Sequence, residues 1–132
     1  MVNETTKAKI ILVIEDEQPL LEAIKLKLEK NGFVVTSSRS CQQALGYLKD
    51  LERIDAIWLD HYLLGKEDGI DFVTQVKNHS EQWKKIPIFV ISNTASPENV
   101  QSYIKLGISK YFVKTENQLD NIVTEIKSIL EK

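Results

Sequence analysis

The feature that most constrains this chain is an alternation. Five short apolar runs, rich in β-branched and aromatic residues, are separated by stretches with helical spacing. The runs are Ile10–Ile14, Phe33–Val35, Ile54–Leu59, Ile86–Ile91 and Tyr111–Val113. Runs of this length and make-up predict strands. The first and fourth are apolar throughout, as central strands covered on both faces must be. Phe33–Val35 fades into Thr36-Ser37-Ser38, which suits an edge.

The intervening stretches carry helix signals. Pro19 suits a first turn, Leu20, Leu21, Ile24 and Leu28 form the inward stripe, and Asn31-Gly32 supplies a stop. Ser40 with Gln43 has capping-box spacing and opens a second helix with Cys41, Ala44, Leu45, Leu48 and Leu51 inward. A third helix runs from Gly69 to Asn78 with Ile70, Val73 and Val76 inside. A fourth opens at Ser96-Pro97-Glu98 and closes at Gly107. A fifth opens at Thr115, with Gln118 in capping-box register, and carries Leu119, Ile122, Val123, Ile126, Ile129 and Leu130. The polar connection His79–Lys85 reads as a surface loop, with Trp83 in it given no role. The pattern βαβαβαβαβα predicts an α/β fold: a parallel five-stranded sheet with five helices on its two faces.

Length and charge narrow the possibilities. A chain of 132 residues fits one domain, expected over residues 9–131 behind a polar tail, 1–8. With 17 Lys+Arg against 19 Asp+Glu the net charge is −2, which gives no electrostatic case for nucleic acid or an acidic membrane. One cysteine excludes an internal disulfide framework and a Cys-rich zinc site. No apolar run approaches the ~18 residues of a membrane span. Met1–Lys9 is polar and lacks a leader's apolar stretch, so a cytoplasmic location is expected. No second domain is expected after the fifth helix, and any output is expected to pass through a protein partner.

In open α/β sheets, ligands bind beyond the carboxyl ends of the strands, at the switch point in strand order. Glu15, Asp16 and Glu17 follow the first run, Asp60 the third, Ser92, Asn93 and Thr94 the fourth, and Lys114 the fifth. If the order is 2-1-3-4-5, Asp60 faces Glu15 and Asp16, with Ser92 and Lys114 opposite. Crowded carboxylates repel, and a divalent cation relieves them. Oxygen ligands without His or Cys favour magnesium or calcium, and magnesium accepts a phosphoryl oxygen as a further ligand. Such a site converges an aspartate, a cation and a lysine on one phosphoryl group, and carboxylates do form aspartyl-phosphates.

Ile-Ile-Leu-Val-Ile-Glu-Asp-Glu at 10–17, Trp58-Leu59-Asp60, Phe89-Val90-Ile91-Ser92 and Tyr111-Phe112-Val113-Lys114, each at a strand end, resemble a response-regulator receiver domain over Lys9–Leu130. The resemblance implies the order 2-1-3-4-5 and a doubly wound, flavodoxin-like fold. It implies that Asp60 accepts a phosphoryl group from a sensor histidine kinase or a histidine phosphotransfer protein. Asp16 and Glu15 would hold Mg2+ (or Mn2+) with Asp60 and the backbone carbonyl of Tyr62. Lys114, Ser92 and Asn93 would bind the phosphoryl group. Ser92 and Tyr111 would act as the switch and reshape the face of the fourth helix, fifth strand and fifth helix for a downstream effector. A receiver of this kind is not an enzyme acting on a separate substrate, and is a monomer or a phosphorylation-dependent dimer. Thr115 and Leu64 stand where the family usually has prolines, Asn93 where it has a small residue, and Gly65–Gly69 looks one residue longer.

Plainer readings stand beside these. Glu15-Asp16-Glu17 has the make-up of an ordinary acidic helix entry, and Tyr62 that of a half-exposed gate beside the acceptor. His61 and His79 read as structural or surface residues. A flavodoxin-like carrier would need a phosphate loop free of acids after the first strand, and a magnesium-dependent aspartyl phosphatase a second aspartate at the position of Tyr62. A receiver-like interaction module without phosphorylation is the remaining alternative.

Overall fold

A computed structural model describes residues 8–51, 53–60, 69–93 and 96–131. The predicted alternation is present: β1 (Ile10–Ile14), α1 (Gln18–Lys30), β2 (Val34–Ser38), α2 (Cys41–Asp50), β3 (Ala56–Asp60), α3 (Gly69–His79), α4 (Glu81–Lys84), β4 (Ile88–Ser92), α5 (Pro97–Leu106), β5 (Lys110–Val113) and α6 (Leu119–Leu130). The strands form one parallel sheet in the order β2-β1-β3-β4-β5. β3 and β4 are buried along their whole length, as continuous apolar runs require.

Alternation along each strand divides the core in two. Ile11, Val13, Ala56, Trp58, Phe89 and Ile91 pack against α1 and α6. Leu12, Ile14, Ile57, Leu59, Ile88 and Val90 point the other way, toward α2, α3, α4 and α5. No helix among the described residues is long and apolar enough to cross a membrane.

Four expectations need correction. The segment His79–Lys85 is not a plain loop. Ser80 caps a short helix by accepting from the Trp83 N–H at 3.1 Å. Trp83 is buried there and stacks on His79 with ring centroids 3.6 Å apart. The helices therefore number six rather than five, because a single turn is too short to show a 3.6-residue period. Thr115 does not open the last helix. Residues 114–116 form a turn in which the Glu116 N–H and the Asn117 side chain both donate to the Val113 carbonyl, and α6 starts only after Gln118. Leu51 is 40% exposed, since it is the extended residue that ends α2 rather than part of its inward stripe. α5 opens at Ser96-Pro97-Glu98 as expected, although the Ser96 side chain makes no cap bond. By contrast Ser40 caps α2 through Gln43, and Gly107 closes α5 at φ 91° in the left-handed region, both as expected.

One close approach fixes how α3 meets α5. Tyr103 is fully buried on α5, and a Cβ added to Gly69 would overlap its hydroxyl. Gly69→Ala is therefore expected to destabilise the protein by about 1–3 kcal/mol, and adding Tyr103→Phe should recover part of that loss. Thermal denaturation checks both; an alanine variant as stable as wild type contradicts this packing.

Candidate functional site

The site grows from strand register. β1 and β3 pair with Ile14 opposite Leu59, so the next residues, Glu15 and Asp60, leave neighbouring strands side by side. β2 holds the acidic loop from the other flank. The Glu15 N–H donates to the Ser38 carbonyl at 2.9 Å, and Arg39 Nη2 donates to the Asp16 carbonyl at 2.8 Å. Across the sheet, the Lys114 N–H donates to the Ser92 carbonyl at 2.7 Å. This bond sets where the lysine leaves β5. No cis peptide bond occurs among the described residues, so Lys114–Thr115 is trans.

These anchors gather the predicted residues. Glu15, Asp16, Asp60 and Ser92 are all buried. Carboxylate oxygens of Glu15, Asp16 and Asp60 lie within 4.8 Å of one another. Lys114 Nζ sits 3.6 Å from Asp60 Oδ1 and 3.8 Å from Glu15 Oε1. Asn93 follows Ser92 but is exposed. Tyr111 is half-buried on β5 and tilts against Tyr103, ring centroids 5.9 Å apart. Tyr62, expected to offer a carbonyl to the cation, lies outside the described residues, as do His61, Leu64 and Gly65. The positioning role of Arg39 was not read from the sequence; a lone arginine after an edge strand carries no signal of what it will reach.

The electrostatics are those of a crowded acid pocket. The Glu15 carboxyl is pushed up to about 8. Burial is the main cause, and the Asp60 charge and hydrogen bonding with that carboxyl add to it. The Glu17 N–H, 3.2 Å from Glu15 Oε2, and the Lys114 ammonium pull the other way and do not cancel it. Glu15 Oε1 is buried and meets no hydrogen-bond donor among the described residues. Three buried carboxylates with one acceptor left over fit a hard divalent cation of the magnesium kind. Glu15, Asp16 and Asp60 are the residues that would hold it.

An open parallel sheet of this order, with an acidic crevice at its switch point, places the chain in the flavodoxin-like class. The family model for the response regulator receiver domain matches residues 11–127, and the chain belongs to that family. It is 29% identical over 125 residues to the phosphate regulon transcriptional regulatory protein PhoB of Escherichia coli, covering 95% of this chain and 53% of PhoB. It is 27% identical over 123 residues to the transcriptional regulatory protein YvrH of Bacillus subtilis, covering 92% of this chain and 49% of YvrH. The chain thus spans about half the length of these curated relatives. Among solved structures, the phosphorylated cyanobacterial phytochrome response regulator RcpA superposes with a TM-score of 0.83 at 26% identity, over 95% of each chain. The chemotaxis response regulator CheY4 of Vibrio cholerae shares the fold, with a TM-score of 0.81 at 21% identity over 92% of this chain and 98% of CheY4.

The raised Glu15 carboxyl has a measurable consequence. Between an ordinary carboxylate value and about 8, folded Glu15 keeps a proton that the unfolded chain has released. Its contribution to stability is therefore complete at low pH and lost as pH rises toward about 8. In metal-free buffer, wild type should lose stability relative to Glu15→Gln over that interval. Added Mg2+ should raise the melting temperature of wild type more near pH 8 than near pH 6. Calorimetry in EDTA and in Mg2+ checks this; a wild type that gains stability on the variant as pH rises contradicts it.

Proposed function

We propose that this chain is a phosphoryl-accepting receiver with Asp60 as the acceptor. The observation that carries the reading is the meeting of Asp60, Asp16 and Glu15 with the Lys114 ammonium, at the ends of three different strands. That the similar RcpA has been solved in a phosphorylated form supports it.

In this reading an Asp60 carboxylate oxygen attacks the phosphorus of a phosphohistidine on a sensor kinase or phosphotransfer protein. A P–O bond forms, the P–N bond breaks, and its electron pair leaves with the imidazole. Glu15, Asp16 and Asp60 would hold a divalent cation, with the Tyr62 carbonyl expected as a further ligand, and that ion would supply positive charge for the phosphoryl oxygens. Lys114 passes from pairing with Asp60 to pairing with a phosphoryl oxygen. The Ser92 hydroxyl turns to donate to another, with Asn93 at the mouth of the site. The turn of Ser92 frees space that Tyr111 occupies, changing its packing on Tyr103. The face formed by α5, β5 and α6 thereby changes shape, and a downstream protein reads it. Ile104, 61% exposed on α5, lies on that face. The domain works as a switch rather than as an enzyme on a separate substrate. The residues that carry it number 9–131, and a cytoplasmic setting suits a partner kinase that phosphorylates there.

Incubation with acetyl phosphate and Mg2+ is expected to add the mass of one phosphoryl group. Asp60→Asn should abolish the gain, and Lys114→Ala should slow it about 10²-fold or more. Intact mass spectrometry over time reads both. A wild type that gains no mass, or an Asp60→Asn variant that gains it equally, overturns the reading; the first result leaves an interaction module without phosphorylation.

A further inference from the structure

Two of the three acids ride on one short loop. Glu15-Asp16-Glu17 joins β1 to α1, and the chain bends at Asp16. A cap on the helix that follows is the usual way to fix such a loop. Here Glu17 stands at the N-cap of α1, and its side chain makes no cap bond. The Glu17 N–H donates to Glu15 Oε2 at 3.2 Å, an atom that a bound cation would also claim. The Asp16 carbonyl is held independently of the acids, by Arg39 Nη2 at 2.8 Å.

Arg39 reaches across from a fixed base. It directly follows β2, and its backbone N–H donates to Gln43 Oε1 at 2.9 Å. The Gln43 N–H in turn donates to Ser40 Oγ at 3.0 Å. These two bonds, close in form to a capping box, tie Arg39 to the start of α2. Arg39 forms no ion pair among the described residues. Its bond goes to a peptide carbonyl rather than to a carboxylate.

The guanidinium can act on a cation in two ways of opposite sign. Its charge repels every divalent ion alike. Its bond restrains Asp16, and restraint matters more to one ion than to another. Mg2+ demands near-ideal octahedral geometry at about 2.0–2.1 Å, whereas Ca2+ accepts flexible arrangements at about 2.3–2.6 Å. Hydrogen bonds that orient a metal's ligands are worth about 10–100-fold in affinity.

We propose that Arg39 is a positioning residue for the cation site. By holding the Asp16 carbonyl it keeps the Asp16 carboxylate set for Mg2+, and it makes the pocket select Mg2+ over Ca2+. This rests on the reading of Glu15, Asp16 and Asp60 as the cation's ligands.

Titration of the ¹⁵N-labelled chain with MgCl2 and with CaCl2, at one pH and ionic strength, gives both dissociation constants from the amide shifts of residues 15–17. Arg39→Met keeps the length of the side chain but removes donor and charge, and Arg39→Gln is too short to reach the carbonyl. Arg39 is exposed, so both variants should keep the remaining amide spectrum of the folded chain. In each, the Mg2+ constant is expected to rise about tenfold or more, and the Ca2+ constant by no more than about threefold. An arginine needed only for stability would lower the melting temperature and leave the ratio of the two constants alone. A ratio unchanged in both variants overturns the proposal, and so does Mg2+ binding that tightens, as relief of repulsion alone would give; either result leaves the cation site standing. A wild type that binds neither ion overturns the cation reading and this inference with it.

Discussion

The structure depends on one conflict of charge. Three carboxylates leave the ends of adjacent strands into a buried space, with one ammonium among the described residues, Lys114, to answer them. Burial alone makes an ionised carboxyl costly, and each neighbour of like charge adds to the cost. The folded chain absorbs part of this by keeping a proton on Glu15 and part by aiming Lys114 between Glu15 and Asp60. The remainder is an unmet demand for positive charge and for groups that bring oxygen atoms to a cation. In the proposed function a divalent ion would meet that demand and open the pocket to a phosphoryl group, and the rest of the molecule holds the pocket in place.

That holding is done mainly by backbone. The register of β1 against β3 puts Glu15 beside Asp60. The Ser38 carbonyl and the Arg39 side chain fix the acidic loop from β2. The bond from the Lys114 N–H to the Ser92 carbonyl ties the lysine to the residue expected to move on signalling. The hydrophobic runs supply the rigidity: β3, which ends in Asp60, is buried from its first residue to its last. An acidic side chain at the end of such a strand has no freedom to find another partner.

Much of this was legible in the residues. Apolar runs of five or six residues mark central strands because both faces are covered, and the polar residues that follow them fall at the sheet's carboxyl edge. Glu15, Asp16, Asp60, Ser92 and Lys114 were readable for that reason, and the structure brings them together. The strand order was not readable from the runs themselves and came from the resemblance, since nothing in a run names its neighbour. Short-range cues misled where competing bonds were strong. Thr115 has the spacing of a cap, yet the Asn117 side chain and the Glu116 N–H take the Val113 carbonyl and hold a turn there instead. The one-turn helix at Glu81–Lys84 was invisible to periodicity, although Ser80 and Trp83 had the spacing of a cap. Long-range partners such as Arg39 with the Asp16 carbonyl, or Gly69 under Tyr103, belong to tertiary packing and leave no local trace.

The account stands on Asp60 receiving a tetrahedral anion between a cation and Lys114. Fluorine NMR with beryllofluoride, a stable mimic of the phosphoryl group, tests this without a kinase and without turnover. Bound fluorine signals should appear only when Mg2+ is present, and should be absent from Asp60→Asn. Bound signals that persist in EDTA or in Asp60→Asn, or no bound signal in wild type with Mg2+, would contradict it.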